Sequence, residues 1–308
     1  MGGRDTRGKV RMAAVGSIGL DTIETPFEKR GELLGGSITY ACAAASFFTT
    51  AGMVGIVGDD FPPEYTALYR SFGIDLAGLA RVPGRTFRWS GVYDADMINR
   101  RTLSTELNVF ETFSPVIPEA YRDVPFLLLG NISPALQLNV LAQVRRPKFV
   151  VADTMDLWIN IARDDLMRVI GKVNLLTLND GEARLLTGLY NLRQCARKIL
   201  DWGPPYVVIK KGEHGAMLFS KAGIFLVPAY PVEAVKDPTG AGDCFAGAFL
   251  GALAGGGSVT PAHVRTALLC GSAVASFGVE DFSLGRLQTL KRRDIERRLA
   301  ELRRMTRV

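Results

Sequence analysis

The sequence predicts an α/β protein: a mostly parallel central sheet flanked by helices, with a small β-sheet lid set into it. Three observations carry this reading. Short apolar runs of strand length alternate with helix-like patterns along most of the chain, the layout of repeated βαβ units. The stretch from Arg85 to Phe113 breaks that rhythm with alternating apolar and polar positions. Near the C-terminus, a turn rich in Pro and Gly runs straight into a long apolar helix pattern.

Taken in order, the strand candidates are MAAVGSI (Met12 to Ile18), MVGIVG (Met53 to Gly58), FLLLGNI (Phe126 to Ile132), FVVAD (Phe149 to Asp153), VNLLTLN (Val173 to Asn179) and YVVIKKG (Tyr206 to Gly212). A polar or glycine turn and a plausible helix follow each. In such sheets ligands gather at the C-terminal ends of the strands. The segment RTFRWSGVYDADMINRRTLSTELNVFETF, at about 85–113, reads as hairpin material around the turn DADMIN. It predicts a lid or an oligomer-forming sheet, so a homodimer through the lid is expected. No linker or repeat divides the chain, and residues 1–308 read as a single domain. The closing LKRRDIERRLAELRRMTRV reads as an amphipathic helix with Leu290, Ile295, Leu299 and Leu302 on one face.

Composition narrows the class. With 47% hydrophobic and 22% charged residues the 308-residue chain is far from disordered. No window approaches the roughly 20 apolar residues of a membrane span, and the N-terminus has no signal-peptide form. Four scattered cysteines without CxxC spacing suggest neither zinc nor a disulfide framework. A cytoplasmic, reduced protein is the expectation. The net charge of +6 is concentrated in the last helix, where a solvated basic face explains it better than nucleic-acid contact.

The decisive stretch is VKDPTGAGDCFAGAFLGALAGG, Val235 to Gly256. Pro238 stops the preceding structure, and Gly240, Ala241 and Gly242 carry almost no side chain. Small residues at a helix start leave the first N–H groups unpaired. The helix dipole adds partial positive charge there, which makes an anion site. Asp243 could be a helix cap. Beside a bound phosphate it makes better sense as a base that takes a proton from an attacking hydroxyl.

DPTGAGDCFAGAFL resembles, position by position, the C-terminal signature of the ribokinase-like (PfkB) carbohydrate kinase family. The resemblance spans about Val10 to Leu284 and implies a ribokinase-like fold and an ATP-dependent kinase that phosphorylates a hydroxyl, expected to be primary. It makes Asp243 the base, with Gly240, Ala241 and Gly242 supplying amides. Asp237 and Thr239 match positions that help bind a monovalent cation such as K+. LNDGEARLLTG resembles the family's NxxE motif, so Asn179 and Glu182 are expected at the nucleotide, with Glu182 holding Mg2+ through water; a capping box is the alternative for that pair. VVIKKGEHGAMLF looks like the strand-turn-strand beside the nucleotide, with Lys210 and Gly212 as its contacts. Cys270 to Gly278 falls where the family places its adenine side, and His214 reads as a surface residue. Towards the acceptor, Asp21 matches an acid that bonds substrate hydroxyls, and Gly35 and Gly36 match the N-terminal signature.

Two departures bear on the acceptor. Many members carry Asn where this chain has Tyr40, which leaves room for an aromatic or less polar substrate, or puts Tyr40 in the core. ADTMDLW lacks the Arg that would pair an acidic sugar. The expected acceptor is a sugar or sugar-like molecule, with a nucleoside (adenosine, guanosine or cytidine type) as the alternative; a silent ligand-binding relative is the weaker third. Arg88, Trp89, Asn99 and Arg100 in the insert are further candidates for substrate contact.

Overall fold

The computed structural model describes residues 9–305. The chain opens with β1 (Met12–Val15), β2 (Gly19–Glu24), β3 (Lys29–Gly35), α1 (Ser37–Ala45), β4 (Ala51–Gly58), α2 (Pro63–Ser71) and β5 (Asp75–Val82). It continues through β6 (Phe87–Tyr93), β7 (Arg100–Glu106), β8 (Phe126–Leu129), α3 (Pro134–Gln143), β9 (Phe149–Asp153), α4 (Asp156–Ile161) and α5 (Arg163–Ile170). Then come β10 (Leu175–Asn179), α6 (Asp180–Thr187), α7 (Leu192–Asp201), β11 (Tyr206–Lys210), β12 (Ala216–Ser220) and β13 (Gly223–Val227). Four helices close it: α8 (Ala241–Gly256), α9 (Pro261–Gly278), α10 (Gly285–Thr289) and α11 (Arg292–Met305).

The main sheet has nine strands in the order β13-β12-β11-β10-β9-β8-β1-β4-β5. From β11 to β5 every pairing is parallel, and β12 and β13 add on antiparallel. The central strands read as unbroken apolar runs because both of their faces are covered. Met12 and Ala14 pack into one core layer, whereas Ala13 and Val15 pack into the other; Phe149 and Val151 alternate with Val150 and Ala152 in the same way. The first layer holds α1, α8, α9 and α11, and the second holds α5, α6 and α7. On α8 the glycines are the contact surface: a Cβ on Gly247 would stand 2.0 Å from the Ala41 carbonyl oxygen of α1.

The second sheet is small, in the order β3-β2-β6-β7. The 85–113 stretch supplies β6 and β7, and the other half comes from residues 19–35. Alternation in GLDTIE is weak because β2 is central in the lid and mostly buried. The edge strand β5 also lacks a strong signal, being half exposed. As expected, α11 buries Ile295, Leu299 and Leu302, and Leu290 lies buried just before it. Arg298 does not sit on a solvated face: it stacks 3.4 Å from the Phe277 ring centroid and pairs with Glu280 at 2.7 Å. All four cysteines are buried and free. Among the described residues, no helix is long and apolar enough to cross a membrane.

Candidate active site

Parallel order aligns the C-terminal ends of β9, β10 and β11, which end on Asp153, Asn179 and Lys210. The Lys210 Nζ lies 3.2 Å from Asp153 Oδ2, and Asp153 is only 5% exposed. Burial alone would lower the Lys210 ammonium, but the carboxylates of Asp153, Glu182 and Asp243 outweigh it and hold it above its usual range. Burial also raises the Asp153 carboxyl, against the pull of Lys210. With three carboxylates facing it, Lys210 stays charged. Asp153 did not figure among the sequence candidates; an acid closing the strand FVVAD, where ligands gather, was the available signal.

Above this row starts α8. Its N-cap Gly240 has φ 74°, and a Cβ there would lie 2.4 Å from the Tyr40 ring. The left-handed turn and the ring beneath it both require glycine. No side chain caps the helix. Ala241 donates its N–H to the Pro238 carbonyl at 3.2 Å, so the amides left to face a ligand are those of Gly240, Gly242 and Asp243. A Cβ on Gly242 would meet Lys210 Nζ at 2.9 Å, so the lysine and the helix start converge on one point. Uncapped amides and a half-buried ammonium fit a phosphoryl group.

Asp243, in the first turn of α8, keeps part of its surface open and has no hydrogen-bond partner among the described residues. Burial and then Asp153 push its carboxyl from 3.8 up to about 8, while Lys210 and Arg100 act in the opposite direction. A carboxyl raised by its surroundings and left unpartnered in a cleft suits a general base. Glu182 is raised by burial to about 7. Asn179 and Glu182 form a capping box: Asn179 Oδ1 accepts from Glu182 N at 2.8 Å, and Glu182 Oε2 accepts from Asn179 N at 2.7 Å. The cap leaves Glu182 Oε1 available, within electrostatic reach of Lys210 and Asp153. Gly212, φ +53°, is exposed in the turn after β11. His214 is also exposed. Cys270 to Gly278 is the buried second half of α9.

On the acceptor side, Asp21 is 3% exposed and its carboxylate lies on Gly35, where a Cβ would stand 1.9 Å from Oδ2. Burial and then Asp237 raise it to about 7. Gly36 has φ +92° and starts α1 against the backbone of Ser17 and Ile18. Tyr40 is buried at 2% exposure under Gly240, and its hydroxyl has no partner. Asp237, 1% exposed, accepts main-chain N–H bonds from Thr239 (2.9 Å) and Ser283 (3.3 Å) and pairs with no side-chain cation among the described residues. Burial raises its carboxyl.

Strand register puts Asp21 beside Trp89 and Tyr93 beside Arg100, with Asp21, Ile23, Trp89 and Tyr93 on one lid face. Arg100 packs over the Trp89 ring at 5.5 Å, and its charge lowers both Asp21 and Asp243. Arg88, on the other face, is held by Asp60 at 2.8 Å and Glu32 at 3.4 Å, and Asn99 by Asp96 at 2.6 Å. A cavity of about 690 Å³ lies elsewhere, against β4 and β5 at the foot of the lid, with Gly55, Gly78, Arg85 and Phe113 in its wall. It contains none of the groups above.

Comparison with known proteins identifies the family. The model of the pfkB family carbohydrate kinases matches residues 27–289. The cytidine kinase of Thermococcus kodakarensis is 32% identical over 247 residues, covering 78% of this chain and 87% of that protein. The deoxyribokinase of Salmonella typhimurium is 27% identical over 271 residues, covering 84% and 87%. The fold is shared with an E. coli protein assigned as Ribokinase II, solved with ATP and Mg2+ (TM-score 0.76, 21% identity, 95% of this chain and 99% of that one). The chain belongs to the PfkB family of carbohydrate kinases, enzymes that phosphorylate a hydroxyl group.

Proposed function

We propose that the protein transfers the γ-phosphate of ATP to the primary hydroxyl of a nucleoside. The observation that carries the acceptor reading is the lid face itself. Asp21, a carboxylate for ribose hydroxyls, shares it with Trp89 and Arg100, a flat ring and a cation suited to a base. The 32%-identical relative is a cytidine kinase, which supports the same choice. A free pentose is the second reading, favoured by the deoxyribokinase relatives.

In this mechanism the amides of Gly240, Gly242 and Asp243, with Lys210, hold the transferred phosphoryl group and stabilise the charge it develops. Asp243 takes the proton from the acceptor oxygen. Asp153 keeps Lys210 in place. Glu182, oriented by Asn179, would hold Mg2+ when that ion is bound, and the ion would supply further charge neutralisation. Gly212 borders the nucleotide. Asp237 and Thr239 fit a monovalent cation such as K+, because Asp237 is a buried carboxylate whose hydrogen-bond partners, from Thr239 and Ser283, are all neutral. A second copy of the chain would pair along β7, exposed over its whole length.

The test is ADP release with ATP and a panel of cytidine, adenosine, guanosine, ribose and deoxyribose, run with and without K+. A nucleoside with kcat/KM at least tenfold above either pentose is expected. A pentose in first place overturns the nucleoside assignment, and no acceptor-dependent ADP release from any candidate would make the chain a silent binder.

A further inference from the structure

Two hydrogen-bonded paths tie the lid to the glycine-rich turn, and together they form a circuit. Tyr93, the last residue of β6, is 5% exposed and shares a hydrogen bond of 3.0 Å with Thr239 Oγ1, across 146 positions of sequence. Thr239 immediately precedes Gly240, and its N–H donates to Asp237 Oδ1 at 2.9 Å. The other oxygen, Asp237 Oδ2, accepts from Ser283 N at 3.3 Å. Ser283 Oγ then donates to the carbonyl of Leu34, back in lid strand β3. The route therefore leaves the lid on one strand, passes beside the phosphoryl-binding turn, and returns on another. Ile23, Tyr93 and Phe282 seal the same junction with an apolar cluster of their own.

We propose that Tyr93 is a positioning residue: its hydroxyl transmits the seating of the lid to Thr239 and so sets the amides of Gly240 to Asp243. Gly240 is already confined from below by the Tyr40 ring, so Thr239 is the free side from which the turn can be displaced. Donors aimed at a developing charge lose most of their effect when moved by about 1 Å, which costs on the order of 10²-fold in rate. With the lid unseated, the bond breaks and the turn relaxes, so phosphoryl transfer is efficient only over a seated acceptor. The ring of Tyr93 packs the lid junction, while the hydroxyl serves the turn.

Tyr93→Phe keeps the ring and removes the bond. The expected result is a kcat lower by about 10- to 100-fold, with both KM values within about threefold and the melting temperature within about 2 °C. Thr239→Val should cause a similar loss, and the double variant Tyr93→Phe/Thr239→Val should be no slower than the worse single variant. Losses that multiply in the double variant would overturn the proposal, as would wild-type kcat in Tyr93→Phe. A raised acceptor KM at unchanged kcat would also overturn it, by making Tyr93 a substrate contact.

Discussion

Replacing Asp243 by Asn tests the base and its setting at once. The substitution keeps shape and removes the proton acceptor, so turnover should fall by about 10²- to 10⁴-fold. Stability should move the other way. Burial raises the Asp243 carboxyl from 3.8 to about 8, so between those pH values the folded protein keeps a proton that the unfolded chain has released. That contribution is present at low pH and is lost as pH climbs towards 8. Full expression of the shift would cost the ionised fold up to about 6 kcal/mol. Asp243 retains an open edge to water, which reduces this to about 1–3 kcal/mol at pH 8. Asn carries no such cost. The variant should therefore melt higher than the parent by roughly 3–8 °C at pH 8 and by much less at pH 5. Calorimetry of the ligand-free protein across pH 5 to 9, beside ADP release, measures both. A folded variant with parental turnover, or a stability difference that does not change with pH, would refute the reasoning. The parent should itself gain kcat/KM as pH rises through the range in which this raised carboxyl ionises.

Three further outcomes are expected. Lys210→Met strands the buried Asp153 carboxyl and should lower stability by about 3–5 kcal/mol and turnover by about 10²-fold; adding Asp153→Asn should restore stability in urea titrations but not turnover. Tyr40→Phe removes a buried hydroxyl without a partner and should raise stability by up to about 1 kcal/mol, with the acceptor KM within about twofold; a tenfold rise in that KM would put Tyr40 in contact with substrate. Gly247→Ala drives a methyl into the Ala41 carbonyl and should cost about 2–3 kcal/mol in denaturant melts, with a loss of turnover as α8 shifts.

What the sequence made legible follows from local chemistry. The glycine-rich turn could be read because an uncapped helix start needs small residues in consecutive positions, and α8 begins just there. The sheet strands could be read because both faces are apolar. The membership of β2 and β3 in the lid could not, since pairing of residue 21 with residue 89 is a long-range matter with no local signature. Asp153 was hidden for a similar reason: its importance comes from Lys210, 57 positions away, and only the parallel register brings them together. Arg88, Trp89, Asn99 and Arg100 looked equivalent in sequence. The pleat separates them, sending Arg88 to Asp60 and Trp89 towards the cleft.

The glycine contact between α8 and α1 has a consequence for how such an enzyme diversifies. At Gly247 main chain rests on main chain, so at that crossing no side chain can be exchanged to change the spacing of the two helices. The second sheet has no such constraint at Trp89 and Arg100, which share the lid face of Asp21. New acceptors can be explored by redecorating that sheet while the donor machinery stays fixed.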